Sequence, residues 1–172
     1  MKAFKMKTCF YCLSIFLASF SFLSFTGCSD SSTEANDSIP VKPVVKVSNM
    51  NYSQDSFNDF FPDTVSLKNI ASAYSGNNYS EEVKKALNDY MRQQASILGE
   101  DSKTFDRIIS LSGSSLTGEY VLPTYAERAK YNGQDAWIFQ ITYGLGSPTL
   151  GHFKCFVFGL EKLDTLHYVS CK

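Results

Sequence analysis

The chain has 172 residues, which suits one domain with a core of its own. Its 16 basic and 17 acidic residues nearly cancel, which excludes the strongly basic balance that tight binding to a phosphate backbone requires. The charges are unevenly placed, however, and Lys2, Lys5 and Lys7 are the only charged side chains before Asp30.

The amino terminus sets out an address. After the three lysines, Cys9 to Phe25 is an uncharged run rich in Phe and Leu and interrupted by Ser14, Ser19, Ser21 and Ser24. A short positive region followed by such a run is the layout of a secretory signal peptide. It is shorter than the ~20 apolar residues that a spanning helix needs. Cys9 and Cys12 form a Cys-x-x-Cys, but they lie inside the segment to be discarded. The run ends in Phe25-Thr26-Gly27-Cys28-Ser29. This stretch resembles the lipobox of bacterial lipoproteins, in which small residues precede an obligatory cysteine. The resemblance implies removal of residues 1–27, a diacylglycerol on the Cys28 thiol and an acyl chain such as palmitate on its freed amine. One acyl chain binds a membrane marginally and two hold stably, so the membrane is the first expected partner. Ser29 stands where many inner-membrane lipoproteins carry Asp, and the resemblance therefore implies the outer membrane, on its periplasmic or its surface face. An uncleaved signal anchor and cleavage without lipid are the competing readings. Cleavage removes three of the 16 basic residues and none of the 17 acidic, leaving 13 against 17 and a formal charge of −4.

Residues 28–43 read as a flexible tether. Ser, Asp, Thr, Glu and Pro dominate, and no aromatic residue is present to offset the entropy of ordering. The composition changes at Val44, and residues 44–172 are expected to form a single domain. Val44 to Val47 reads as an edge strand. Asn49 to Asp63 reads as an irregular segment that docks Tyr52, Phe57, Phe60 and Phe61 on the core. Ser66 to Tyr74 suits a short helix, broken by Gly76-Asn77-Asn78. Ser80 is a good N-cap, Glu81 and Glu82 complement the helix dipole, and apolar residues from Val83 to Leu98 recur at helical spacing. Asp101 begins a further short helix with Phe105, Ile108 and Ile109.

Beyond Gly113 the apolar period changes to two. Strands are expected at Leu116 to Leu122, Tyr125 to Tyr131, Ala136 to Tyr143, His152 to Leu160 and Thr165 to Cys171. The second and third are joined by Asn132-Gly133, a strong hairpin signal. The expected fold class is α+β, with N-terminal helices packed on a four- to five-stranded antiparallel meander. Tyr131 to Phe139 and the last hairpin, Phe153 to Val169, resemble cystatin-like and PepSY-like envelope modules, over about half of the chain. The resemblance implies a helix crossing a curved sheet, and a protease-inhibitor-like role as one alternative.

Two cysteines remain, Cys155 and Cys171, in a compartment that permits disulfides. A turn centred on Leu163 places Cys155 opposite Cys171, at a separation a disulfide spans. The bridge would contribute about 3 kcal/mol in the chain-entropy treatment. Two buried thiols acting as small hydrophobes are the other reading.

No catalytic constellation stands out. His152 and Cys155 are three apart on one strand and point to opposite faces. Two histidines offer no zinc site, and Asp55, Asn58, Asp59 and Asp63 are not at EF-hand spacing. Neither a metal nor a cofactor is expected. Trp137, Phe139, Tyr143, Phe156, Phe158 and Tyr168 are read as core. Gly144 to Gly151 is a glycine-rich loop without the ending of a phosphate loop. Leu145 and Leu150 at its tip are the candidate partner contact. The expected function is a membrane-anchored envelope module that binds an envelope protein or other ligand without catalysis. A small hydrolase using Glu119, Glu127 or His152 is the alternative.

Overall fold

The computed structural model describes residues 39–59, 64–116 and 119–170. The chain divides into two units, Met1–Asp30 and Ser31–Lys172, and every described residue belongs to the second. The signal segment, Cys28, Phe60, Phe61, Asp63 and Cys171 lie outside the described residues.

The fold is α+β, built on one five-stranded sheet in the order β1-β2-β3-β4-β5. The strands are β1 (Val44–Tyr52), β2 (Tyr120–Tyr131), β3 (Gln134–Gly144), β4 (His152–Gly159) and β5 (Thr165–Ser170). β2 to β5 form the expected antiparallel meander. β1 departs from expectation and pairs with β2 in parallel, from Val44 opposite Tyr125 to Tyr52 opposite Tyr131. The sheet is therefore mixed. The reason is the connection: a short hairpin reverses the chain, whereas β1 returns to the sheet only after all the helices.

Helices α1 (Gln54–Asp59), α2 (Thr64–Tyr74), α3 (Glu81–Ile97) and α4 (Ser102–Ser114) fill that connection. α1 replaces some of the irregular segment expected after Asn49. The caps are as expected. The Ser80 side chain accepts from the Val83 N–H at 3.2 Å, and Asp101 accepts from the Thr104 N–H at 3.2 Å. α3 ends in a Schellman motif, with the Glu100 N–H donating to the Ala95 carbonyl at 3.0 Å.

Both faces of the sheet are covered. On one, Met91 and Ala95 of α3 and Phe105 and Ile108 of α4 pack on Trp137, Phe139, Ile141, Phe156 and Phe158. On the other, Phe57 of α1 joins Tyr52, Tyr125, Tyr131, Ile138, Cys155 and Val157. A third cluster gathers around Leu122, with Ile70 and Tyr74 of α2, Leu87 of α3, Ile39 and Leu150. Its position follows from the strand lengths. β1 begins opposite Tyr125, so the first residues of β2 have no described strand on that side, and α2 and α3 meet there.

Two further differences concern β2 and the last hairpin. Leu116 to Leu122 and Tyr125 to Tyr131 are expected from sequence as separate strands, with Pro123-Thr124 between them. β2 instead runs through from Tyr120, with a bulge between Pro123 and Tyr125. Pro123 is tolerated because it lies at the bulge, ahead of the β1 ladder. In the last hairpin, Gly159 and Asp164 close the turn, with the Gly159 N–H donating to the Asp164 carbonyl at 3.0 Å, and Leu163 takes a left-handed φ of 51°. The turn is thus centred before Leu163. Val157 faces His167 and not Val169, and Cys155 faces Val169 and not Cys171. The Asn132-Gly133 turn is as expected: φ is 49° and 81°, which matches the twist of the strands it joins.

Candidate functional site

The sheet face that carries α1 holds Glu127 and Cys155, both candidates from sequence, together with Thr124 and Gln140, which sequence reasoning missed. Glu127 is fully buried in the middle of β2. Strand alternation sends its side chain to the same face as Tyr125, Ala129 and Tyr131. Its carboxylate accepts from the Tyr125 hydroxyl and from the Tyr52 hydroxyl, the latter at 3.3–3.4 Å. The Lys46 ammonium lies 3.9 Å away, half exposed, and 5.4 Å from the centre of the Tyr125 ring. Lys46 is there because β1 pairs it with Glu127. A buried acid thus receives two neutral donors and one partly solvated cation, which is the company such a group needs. Burial, then the Glu127 charge, push the Tyr52 hydroxyl well above the usual phenol range.

Beside this cluster runs a row set by register: Tyr125 on β2, Gln140 on β3, Cys155 on β4 and Val169 on β5. Cys155 is a free, buried thiol. Burial and then Glu127 raise its pKa far above the ordinary thiol range, so it is held in the protonated form, the opposite of an activated nucleophile. The Thr124 hydroxyl, on the bulge, lies 3.2 Å from the Gln140 carbonyl and 3.1 Å from its side-chain oxygen. The Thr124 carbonyl accepts from Ser66 of α2 at 2.7 Å. Gln140 is fully buried, and its Nε2 has no hydrogen-bond partner among the described residues. Leaving such a donor unpaired costs about 1–3 kcal/mol.

Gln140 also lines a cavity. Thr64, Leu67, Lys68 and Ala71 of α2, with Gln140, Gly151 and Phe153, line an open, mainly apolar hollow of about 420 Å³. That volume lies in the range of small-molecule sites, about 300–1,000 Å³. A larger depression of about 720 Å³ lies at the turn end of the sheet, among Arg128, Lys130, Asp135, Glu161, Lys162 and Asp164. Its lining mixes the basic Arg128, Lys130 and Lys162 with the acidic Asp135, Glu161 and Asp164. Trp137 Nε1 is also unpaired among the described residues, but the Trp137 ring lines none of these cavities.

The residues singled out from sequence fall as follows. Leu145 is exposed, whereas Leu150 is buried in the cluster around Leu122, and its N–H donates to Ser75 at 2.9 Å. The two leucines therefore present no common surface. The loop they belong to folds back on the α2–α3 connection, with the Gly76 N–H donating to the Pro148 carbonyl at 2.9 Å and the Gly146 N–H to Glu119 at 2.8 Å. Glu119, Glu127 and His152 do not meet: Glu119 holds that loop, Glu127 is in the α1 face, and His152 stacks on Tyr143 in a register pair of the opposite face. His167 stacks on Tyr131 and meets the edge of Phe57, which fastens α1 to the sheet. Five of the six aromatics expected in the core are buried, and Tyr168, on the edge strand, is 58% exposed.

Among the described residues no three His, Cys, Asp or Glu side chains gather as a metal site would require, and no helix is long and apolar enough to cross a membrane. Comparison of the chain with protein-family models, with curated proteins and with solved structures finds no match.

Proposed function

We propose that this protein is a cell-envelope lipoprotein, held at the outer membrane through lipidated Cys28, whose domain is a non-enzymatic binding module. The anchor half of the reading rests on the lysines, apolar run and lipobox-like stretch of the first 29 residues. The binding half is supported by one structural observation above all. Glu127 is sealed inside and committed to the Tyr52 and Tyr125 hydroxyls, and Cys155 is buried beside it, while the hollow under α2 is apolar and open. Catalysis needs a nucleophile or base that substrate can reach. Glu127 and Cys155 are each 1% exposed or less. The kinship with cystatin-like or PepSY-like modules belongs to the same proposal and draws on the β2–β5 meander.

Two measurements test the reading. Radiolabelled palmitate is expected to enter the protein in its host, and Cys28→Ala is expected to abolish labelling and move the chain out of the membrane fraction. An unchanged Cys28→Ala distribution would overturn the anchor. Crosslinking in intact cells is expected to recover a defined ligand or envelope protein, whereas turnover of a model ester by the purified chain would overturn the non-enzymatic assignment.

A further inference from the structure

We propose that the end of the sheet bearing the loop from Gly144 to Gly151 faces the bilayer that anchors the chain, and that Leu145 enters the headgroup layer of a neutral lipid surface. The inference rests on the lipid anchor at Cys28 and names the surface that meets the membrane. The segment just ahead of β1 is already part of the domain. Ile39 is 4% exposed and packs in the cluster around Leu122. Val41 is gripped at both backbone groups: the Tyr74 hydroxyl donates to its carbonyl at 2.8 Å and accepts from its N–H at 3.1 Å. The Lys42 ammonium lies 5.4 Å from the centre of the Tyr90 ring, and Pro43 is buried. The chain is thus fastened to the domain from Ile39 onward.

Chain length then decides which end the lipid brings down. Ile39 follows Cys28 by eleven residues. That stretch reaches roughly 36–40 Å when fully extended. From Leu122, where Ile39 packs, along β2 to the Asn132-Gly133 turn is ten residues, roughly 33 Å of strand. The turn end therefore meets the bilayer only when nearly all the reach is used, and a chain pulled straight loses conformational entropy. The loop end needs little of it.

The two ends also differ in charge. Residues 75–80 and 144–151 are joined where the Gly76 N–H donates to the Pro148 carbonyl and the Leu150 N–H to Ser75. Neither stretch contains a charged side chain, and Leu145 is 57% exposed among them. The turns at the other end carry Lys130, Asp135, Glu161, Lys162 and Asp164. An uncharged end with an exposed leucine enters a headgroup layer without stripping water from an ion. Ile97 is more exposed, at 70%, but it ends α3 three residues before Glu100, which pairs with Arg128, whereas the loop meets the residues just ahead of α3. Glu119 holds the Gly146 N–H at 2.8 Å beside the tip. Its carboxylate opposes an anionic surface and favours zwitterionic headgroups that present an ammonium.

The test places the full chain, as its host processes it, in vesicles of phosphatidylethanolamine and phosphatidylcholine with brominated acyl chains, which quench tryptophan on contact. The protein's one tryptophan, Trp137, is buried and supplies the baseline. Leu145→Trp is expected to lose fluorescence relative to unbrominated vesicles, while Ile97→Trp and Lys162→Trp stay with the wild type. All three positions are exposed, so the substitutions leave the core intact. Equal quenching at Ile97→Trp or Lys162→Trp overturns the proposal, as does an unquenched Leu145→Trp. Adding phosphatidylglycerol is expected to weaken the quenching of Leu145→Trp, and stronger quenching overturns the choice of a neutral surface. A photocrosslinker at position 145 that captures an envelope protein and no lipid gives this end to that protein and overturns the proposal too. Mass spectrometry of the same sample separates this inference from the anchor beneath it. A chain without lipid on Cys28 overturns both, whereas a lipidated chain with Leu145→Trp unquenched overturns this inference alone.

Discussion

Glu127 and Cys155 carry most of the chemistry that can be tested one side chain at a time. Removing the acid in Glu127→Ala leaves the Tyr52 and Tyr125 hydroxyls without their acceptor and opens a gap between them. The expected cost is about 3 kcal/mol in urea unfolding, against about 1 kcal/mol for Glu127→Gln, which keeps the shape and an acceptor oxygen. Equal losses in the two variants would show that the carboxylate is not what the hydroxyls require. Cys155 predicts a pH dependence. Its pKa is raised in the folded protein, first by burial and then by Glu127, so the folded state keeps a proton that the unfolded chain releases. That contribution to stability is whole below the ordinary thiol pKa, about 8.5, and is lost as pH rises toward the folded value. Near pH 9 the thiol should remove about 1 kcal/mol per unit, and toward pH 10 the raised tyrosines, Tyr52 among them, add to the loss. Cys155→Val should flatten that slope, and a variant that follows the wild-type curve would refute the assignment. A buried thiol at Cys155 was one of the two readings open from the sequence, whereas the burial of Glu127 was not legible there. Tyr125, two residues away, supplies one donor, but the parallel seating of β1 brings the others, Lys46 and Tyr52, from far away in the chain.

Elements whose signals are local were legible, and those decided at a distance were not. Ser80, Asp101 and the Asn132-Gly133 turn act within a few residues of themselves, and each does what its chemistry predicts. The last hairpin shows the limit. Its strands are recognisable from their alternation, but the conformation of Leu163 and the Gly159–Asp164 closure shift the pairing by two residues, so that Cys155 faces Val169. The loop after β3 misleads for a related reason, because its glycines suggest a free tip. Gly144 in fact sits where an added Cβ would lie 2.2 Å from the Ser147 carbonyl oxygen and 2.7 Å from that of Thr149. Gly144→Ala should therefore displace the loop from the α2–α3 connection at a cost of about 3 kcal/mol. The expected readout is a lower thermal midpoint together with faster exchange of the Gly76 and Leu150 amide protons. A midpoint unchanged from wild type would mean that the loop yields freely.

For the whole molecule, the sequence made the α+β class legible, with helices ahead of a meander, because the apolar period changes from helical to alternating near Gly113; α1 and the continuity of β2 were not. It did not reveal that the first strand and the second lie side by side, since nothing near Val44 points to Tyr125. That pairing builds β1 into the core, and a chain that begins at Ser53 should lose its cooperative unfolding transition. Such a chain would lack Tyr52 and Lys46 and would leave β2 as an open edge above a buried acid. Full-strength near-ultraviolet dichroism in that shortened chain would contradict the expectation. The seating of β1 also bears on mechanics. A pull arriving from the residues ahead of Val44 along the strand loads its ladder lengthwise, so the bonds share the tension and do not unzip in succession. At the far end of β1 the ring of Tyr52 is locked among Phe57, Tyr125 and Tyr131, with the backbone beyond it pinned by the Asn132 N–H at 2.8 Å. The strand cannot slide until that ring is dragged through the packed layer, which makes Tyr52 a stop that protects the domain from force applied at its leading edge.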